Sequence, residues 1–147
     1  MEFTQGVRFD SLGLSPEIMR AIAHRNLEVS TPVQAGCIPP MMAWQDVIAK
    51  APTGTGKTFA YGIPIVEHID PEDESVQAVI LAPTRELAIQ ITGELRDIAA
   101  FKPGVRSVCL YGGQPIGKQI DTLKKRPQIV VATPGRPRDH MKRRTVK

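Results

Sequence analysis

The chain has 147 residues, which is long enough for one domain with a hydrophobic core. Hydrophobic residues make up 41% and charged residues 23%, as in soluble globular domains, and no apolar run approaches the length that crosses a bilayer. Cys37 and Cys109 form no Cys-x-x-Cys pair, so neither a zinc site nor a disulfide framework is indicated. Free thiols in a reducing cytoplasm are the simpler interpretation, and the N-terminus lacks the apolar core of a signal peptide.

The net charge of +4 is unevenly distributed. Residues 136–147 contain six of the 19 basic residues and one of the 15 acidic residues. This basic tail is consistent with an electrostatic surface for nucleic acid. A solvated helix face or a frayed chain end would have the same composition.

Helix and strand patterns alternate along the chain. Ser15 before Pro16 predicts the start of one helix, and Thr31 before Pro32 predicts the start of another that ends before Trp44. Three more helices are predicted, over 57–69, 86–100 and 116–125. Short apolar runs typical of buried strands are 47–49, 76–82, 106–111 and 128–132.

Strands separated by helices imply right-handed crossovers and a mainly parallel sheet with helices on both faces. Ligands of such sheets bind beyond the carboxyl ends of the strands. Four loops are therefore expected on one edge of the sheet: 51–58, 83–86, 111–114 and 133–136.

The first of these loops reads Ala-Pro-Thr-Gly-Thr-Gly-Lys-Thr, over residues 51–58, and has the features of a phosphate-binding loop. Gly54 and Gly56 allow backbone N–H groups to point at an anion, and the positive end of the following helix adds to that field. Lys57 can reach the β- and γ-phosphates, and the Thr58 hydroxyl can ligate Mg²⁺. The general pattern opens with glycine whereas this loop opens with alanine, so a plain glycine-rich turn is the alternative.

Taken together, the motifs resemble the first RecA-like domain of a DEAD-box RNA helicase, from Phe9 to about Arg144. The opening alanine of the phosphate loop is normal for that family. The matching segments are Ala-Pro-Thr-Gly-Thr-Gly-Lys-Thr (51–58), Ala-Pro-Thr-Arg-Glu-Leu-Ala (82–88), Gly-Gly (112–113), Thr-Pro-Gly-Arg (133–136) and, upstream, Thr-Pro-Val-Gln (31–34).

The resemblance implies an incomplete three-layer αβα domain of the RecA-like P-loop NTPase type. Residues 1–45 would form the adenine-reading segment, and residues 46–147 the βα units that include the phosphate loop. The implied activity is ATP-dependent unwinding or remodelling of RNA, with ATP and Mg²⁺ as cofactors.

The nucleotide-binding residues follow from the resemblance by position. Gln34 matches the glutamine that reads adenine, although a helix-capping box with Thr31 would also explain it. Phe9 matches the aromatic residue that stacks on adenine, although a core phenylalanine is the alternative. The phosphate and Mg²⁺ contacts would come from Thr53, Gly54, Thr55, Gly56, Lys57 and Thr58, of which Lys57 and Thr58 are the catalytic candidates and Thr58 the Mg²⁺ ligand.

A second set of residues matches the family's contacts with the RNA backbone. Hydroxyls, arginines and exposed backbone N–H groups hold phosphates without reading bases. The alternatives are ordinary turns and caps, and an ion pair between Arg85 and Glu86. The set is Pro83, Thr84, Arg85, Gly112, Gly113, Thr133, Pro134, Gly135 and Arg136.

Three positions depart from the family pattern. Asn26 stands where the family often has glycine, Ser30 where it often has proline, and Pro137 where aliphatic residues usually continue. The family's Asp-Glu-Ala-Asp segment and its second domain, with an arginine finger, do not occur before Lys147. The chain is thus expected to be a truncated domain that binds nucleotide and RNA weakly and has no turnover alone.

Two other functions remain open from the sequence. A nucleotide kinase or a transport ATPase would use the same phosphate loop, but it would not need the motifs at the other strand ends. A binding module that holds ATP or RNA without hydrolysis would need no further segment.

Overall fold

The computed structural model of the chain describes residues 7–48, 57–111 and 116–134, which belong to two compact units. The first unit comprises Met1–His68 and Asp97–Pro103, and the second comprises Ile69–Arg96 and Gly104–Lys147. The helices are α1 (Pro16–His24), α2 (Pro32–Met42), α3 (Lys57–His68), α4 (Arg85–Ile98) and α5 (Ile116–Leu123), with a 3₁₀ turn at Phe9–Ser11. The strands are β1 (Ala78–Leu81), β2 (Ser107–Leu110) and β3 (Ile129–Ala132).

The start of the first unit is held by the buried Ser30. Its backbone N–H donates to the Val7 carbonyl at 2.7 Å, and its hydroxyl donates to the same carbonyl and accepts from the Val7 N–H. A proline at this position would lack the N–H group. The departure from the family pattern at Ser30 therefore adds hydrogen bonds to the N-terminal segment.

The structure also accounts for the second departure from the family pattern, Asn26. Its φ is +58°, in the left-handed region that favours glycine. Asparagine tolerates this conformation better than most other residues. Asn26 can therefore replace the family's glycine without a change in the path of the chain after α1.

The residue that caps α1, Ser15, also connects this helix to α3. The Ser15 hydroxyl accepts from the Ile18 N–H at 3.4 Å, which caps α1. The Ser15 N–H and hydroxyl also donate to the Glu67 carboxylate, at 2.9 and 2.6 Å. Glu67 thus fixes the start of α1 against the last turn of α3.

In the second unit, the three described strands form a parallel sheet in the order β1-β3-β2. All four residues of β3 are buried. Leu123 of α5 packs with Val108 and Val130 on one face, whereas Cys109, which points to the other face, interacts with Thr92 of α4. Helices therefore cover both faces of the sheet, and the α/β class predicted from the sequence is confirmed.

The buried Gln128 joins the segments that enter the sheet. Its side-chain oxygen accepts from the Arg106 N–H at 2.7 Å, and its side-chain amide donates to the Gly104 carbonyl at 2.8 Å. Its backbone carbonyl accepts from the N–H groups of Gln77 and Ala78. One residue before β3 therefore sets the register of both neighbouring strands.

The outer strand β1 has an exposed apolar side. Val79 is 55% exposed and Leu81 is 64% exposed. Both lie on the face that carries Val130 and Ala132 of β3, where α5 covers β2 and β3 but leaves these two side chains open. In the part of the chain that the structure describes, no helix covers this side of β1.

The predicted helices and three of the predicted strands are observed, with ends that differ by one or two residues. The strand predicted over 47–49 is wrong at Val47 and Ile48, which have irregular backbone, and Ala49 lies outside the described residues. Val47 packs beside the cluster of Val33, Cys37 and Ala60, whereas Ile48 is 85% exposed. Neither described residue of this apolar run pairs with a described strand.

Replacing Gln128 by leucine is expected to destabilise the sheet by roughly 1 kcal/mol, because the partly buried hydrogen bonds to the Arg106 N–H and the Gly104 carbonyl are lost. The matched control is Gln77→Leu. The Gln77 amide also makes several hydrogen bonds, but they hold the exposed loop at Asp70 and Asp73, where water can replace it.

The measurement is native-state hydrogen exchange of the β3 amides in the full-length protein. Gln128→Leu should reduce their protection much more than Gln77→Leu. Equal protection in the two variants would show that Gln128 does not hold the sheet together.

Candidate functional site

The predicted phosphate-binding loop leads directly into α3. Lys57 is the first residue of this helix and is exposed, and Thr58 follows it and is half-buried. Both residues therefore lie in the first turn, where unpaired N–H groups and the helix dipole attract anions. The preceding Thr53, Gly54, Thr55 and Gly56 lie outside the described residues.

A cavity of about 310 Å³ opens beside Lys57 in the first unit. Apolar side chains of α2, among them Val33, Cys37 and Met41, form much of its lining. Burial raises the pKa of the Cys37 thiol, so this side chain is protonated at neutral pH and contributes an apolar wall. The cavity can accept an apolar group next to the ammonium group of Lys57.

The Gln34 side chain completes the capping box of α2. Its oxygen accepts from the Thr31 N–H at 2.8 Å, and its backbone N–H donates to the Thr31 hydroxyl at 3.4 Å. Gln34 is 4% exposed. The capping alternative is thus confirmed, and it fixes the orientation of the amide; the reading of adenine stays a prediction.

Phe9 is buried, at 1% exposure, within the 3₁₀ turn. Its N–H donates to the Glu28 carbonyl at 3.0 Å, beside the bridge between Arg8 and Val29. The side chain therefore belongs to the core of the first unit in this structure. Its proposed contact with adenine also stays a prediction.

The predicted RNA contacts that the structure describes lie at the carboxyl ends of the strands. Thr84 caps α4: its hydroxyl accepts from the Leu87 N–H at 3.2 Å and its carbonyl from the Ala88 N–H at 3.0 Å. Thr133 follows β3, and its N–H donates to the Leu110 carbonyl at 3.0 Å. Pro83 and Pro134 are exposed. The other predicted contacts, Gly112, Gly113, Gly135 and Arg136, lie outside the described residues.

A contact between Arg85 and Tyr111 joins two of these loops. The guanidinium carbon of Arg85, after β1, lies over the Tyr111 ring, after β2, at 5.6 Å from the ring centroid. Because β3 separates these two strands, the contact spans the carboxyl end of the central strand. The grouping predicted for the loops after β1, β2 and β3 is therefore observed in the second unit.

Tyr111 lies in the predicted edge loop 111–114, but the resemblance gave this residue no role. The signal was an aromatic residue at the end of a strand, immediately before Gly-Gly. The same residue also ends the apolar run 106–111 that predicts a strand. The Arg85–Glu86 alternative has an N–O distance of 3.8 Å between exposed side chains, and such pairs contribute little.

The described residues contain no group of three or more histidine, cysteine, aspartate or glutamate side chains that could hold a metal ion. The Thr58 hydroxyl is the only Mg²⁺ ligand that the sequence predicted. A Mg²⁺ ion bound with ATP takes most of its ligands from phosphate oxygens and water, so a single hydroxyl fits that chemistry.

The chain is similar in structure and in sequence to known DEAD-box proteins. A solved DEAD box protein from the hyperthermophile Methanococcus jannaschii superposes with a TM-score of 0.89 at 36% identity, over 98% of this chain and 39% of that chain. The DEAD-box ATP-dependent RNA helicase CshA of Bacillus subtilis (strain 168) is 50% identical over 141 residues, or 96% of this chain and 28% of the relative. CshA of Geobacillus kaustophilus (strain HTA426) is 52% identical over 139 residues, or 95% of this chain and 30% of the relative.

The chain thus spans less than a third of the length of these helicases. Among the described residues, no helix is both long enough and apolar enough to cross a membrane. The model of the DEAD/DEAH box helicase family matches residues 31–147, which include the phosphate loop and all the predicted RNA contacts. The resemblance noted in the sequence is confirmed, and the chain belongs to the DEAD/DEAH box helicase family.

Proposed function

We propose that this chain is the ATP-binding part of an ATP-dependent RNA helicase and that it supplies part of the RNA surface. The proposal is carried by the clustering of the loops after β1, β2 and β3 at one edge of the sheet, with Arg85 exposed there. Relatives about 50% identical over this region are named ATP-dependent RNA helicases, which supports ATP and RNA as the ligands.

ATP binding follows from the start of α3. The backbone N–H groups of residues 53–56 and the ammonium group of Lys57 hold the phosphates, and the Thr58 hydroxyl ligates Mg²⁺. Mg²⁺ held by Thr58 would supply positive charge beside the phosphate oxygens. Gln34 and Phe9 recognise the adenine base.

RNA binding in this proposal depends on the phosphate backbone. Thr84 and Thr133 offer hydroxyls and Arg85 offers a guanidinium group, none of which distinguishes one base from another when it binds a phosphate. Residues 112–113 and 135–136, which lie outside the described residues, belong to the same proposed set of RNA contacts. RNA affinity should then depend on salt concentration more than on RNA sequence.

Coupling of ATP hydrolysis to RNA binding requires a second RecA-like domain. The relatives are more than three times as long as this chain, which is long enough to include such a domain. ATP closes the two domains over single-stranded RNA, and hydrolysis with product release reopens them. The free thiols Cys37 and Cys109 support a reducing, cytoplasmic location.

Changing Lys57 to alanine should weaken ATP binding, because the phosphates lose a charge-assisted contact worth roughly 1.5–3 kcal/mol. Isothermal titration calorimetry on the full-length protein measures the loss, which corresponds to at least a tenfold rise in the dissociation constant. Lys124→Ala, at an exposed position after α5, is the matched control and should bind ATP normally. Normal affinity in a folded Lys57→Ala variant would rule out the phosphate role.

The full-length protein should prefer ATP to GTP, since the six-position of guanine presents an acceptor where adenine presents a donor. Gln34→Glu separates this role from capping, because glutamate can still accept from the Thr31 N–H but has no amide donor. We expect its ATP affinity to fall roughly three- to tenfold. Thr31→Ala, which removes the capping hydroxyl only, should retain the preference for ATP. Competition binding with ATP and GTP is the measurement, and equal affinity of the unaltered protein for both nucleotides would refute the adenine assignment.

Changing Arg85 or Arg136 to alanine should weaken binding of single-stranded RNA equally for unrelated sequences. For each substitution, the slope of log affinity against log salt should decrease by about one, as for the loss of one phosphate contact. The RNA concentration that gives half-maximal stimulation of ATP hydrolysis by the full-length protein should then rise. Arg96→Ala, near the other end of α4, is the control. Loss of affinity for one RNA sequence only would point to base reading.

A further inference from the structure

Arg85 occupies a position that does not favour a cation. It is the first residue of α4, where the helix dipole is positive and where an acidic residue is preferred. Glu86 lies beside it, but the distance of 3.8 Å between Arg85 Nε and Glu86 Oε1 exceeds that of a hydrogen bond. Neither the helix nor the neighbouring carboxylate therefore accounts for the placement of the guanidinium group.

Among the described residues, the Tyr111 ring lies over the Arg85 guanidinium group. A distance of 5.6 Å from the guanidinium carbon to the ring centroid is within the range of a cation–π interaction. The two residues are 26 positions apart and reach each other only because the sheet places the ends of β1 and β2 on either side of β3. The Arg85 side chain nevertheless remains 56% exposed.

We propose that Tyr111 is a positioning residue that holds the Arg85 guanidinium group ready to bind an RNA phosphate. This inference rests on the proposed RNA function of the same edge. Tyr111 acts through Arg85 and contacts no phosphate itself.

The physical basis is preorganisation. A free arginine side chain samples many rotamers, and fixing it on a ligand costs conformational entropy. A ring face that already restricts the guanidinium group reduces this cost, and the N–H donors stay available because a ring is a much weaker acceptor than a phosphate oxygen. At an exposed site the interaction corresponds to a roughly two- to fivefold gain in affinity.

The experiment is a double-mutant cycle in the full-length protein, with RNA affinity measured by fluorescence anisotropy on a fluorescently labelled single-stranded RNA of unstructured sequence. The variants are Tyr111→Leu, Arg85→Ala and the two combined. Leucine keeps apolar volume at the end of β2 but removes the ring, whereas Tyr111→Phe keeps the ring and removes the hydroxyl. Thermal melting and ATP affinity verify that each variant is folded.

We expect Tyr111→Leu to weaken RNA binding roughly two- to fivefold and Tyr111→Phe to bind nearly as tightly as the unaltered protein. In the Arg85→Ala background, Tyr111→Leu should have no further effect, because the group that it positions is gone.

Three outcomes would overturn the inference. Unchanged affinity in Tyr111→Leu, while Arg85→Ala weakens binding, would show that the ring does not position Arg85. An equal loss from Tyr111→Leu in both backgrounds would show that Tyr111 acts independently, through its own contact or through the fold. Unchanged affinity in Arg85→Ala would overturn the proposed RNA role of Arg85 together with the role of Tyr111.

Discussion

The central strand β3 is the constraint on which the second unit depends. It is buried on both faces and forms parallel hydrogen-bonded ladders with β1 on one side and β2 on the other. Parallel pairing fixes the direction of all three strands, so their carboxyl ends meet at one edge. Every feature assigned to this edge, including the approach of Arg85 to Tyr111 across the end of β3, follows from that pairing. Gln128 reinforces it, because one buried amide connects to the segment before β2 while its backbone carbonyl connects to the start of β1.

Much of this arrangement could be predicted from the sequence because local signals agree with the fold. Val79 to Leu81 and Ile129 to Ala132 lie in short apolar runs, and Ser15, Thr31 and Thr84 stand where helix caps belong. Alternation of these elements was enough to predict a parallel sheet and its functional edge. The same reasoning was wrong at Val47 and Ile48, because a short apolar run shows neither whether each of its residues is buried nor which strand it pairs with.

The sequence patterns could not predict the tertiary contacts, because these contacts depend on which strands are neighbours in the sheet. The Arg85–Tyr111 contact depends on which strands are neighbours, and the order β1-β3-β2 cannot be read from spacing. The hydrogen bonds of Ser30 with Val7 are similar, since residues 23 positions apart meet only through the bridge between Arg8 and Val29. The sequence motifs predict which residues form the site, whereas the strand order determines which of the described side chains meet at the edge.

The strand order also has a consequence for how the protein is made. β1 and β2 do not pair with each other, and the strand that joins them is the last of the three to leave the ribosome. At a synthesis rate of about 5–20 residues per second, β1 waits on the order of several seconds before β3 emerges. During that interval Val79 and Leu81 belong to a strand without its partner, and an unpaired apolar strand edge is prone to aggregation. The topology that brings the three loops to one edge thus leaves β1 without its partner until β3 has been synthesised.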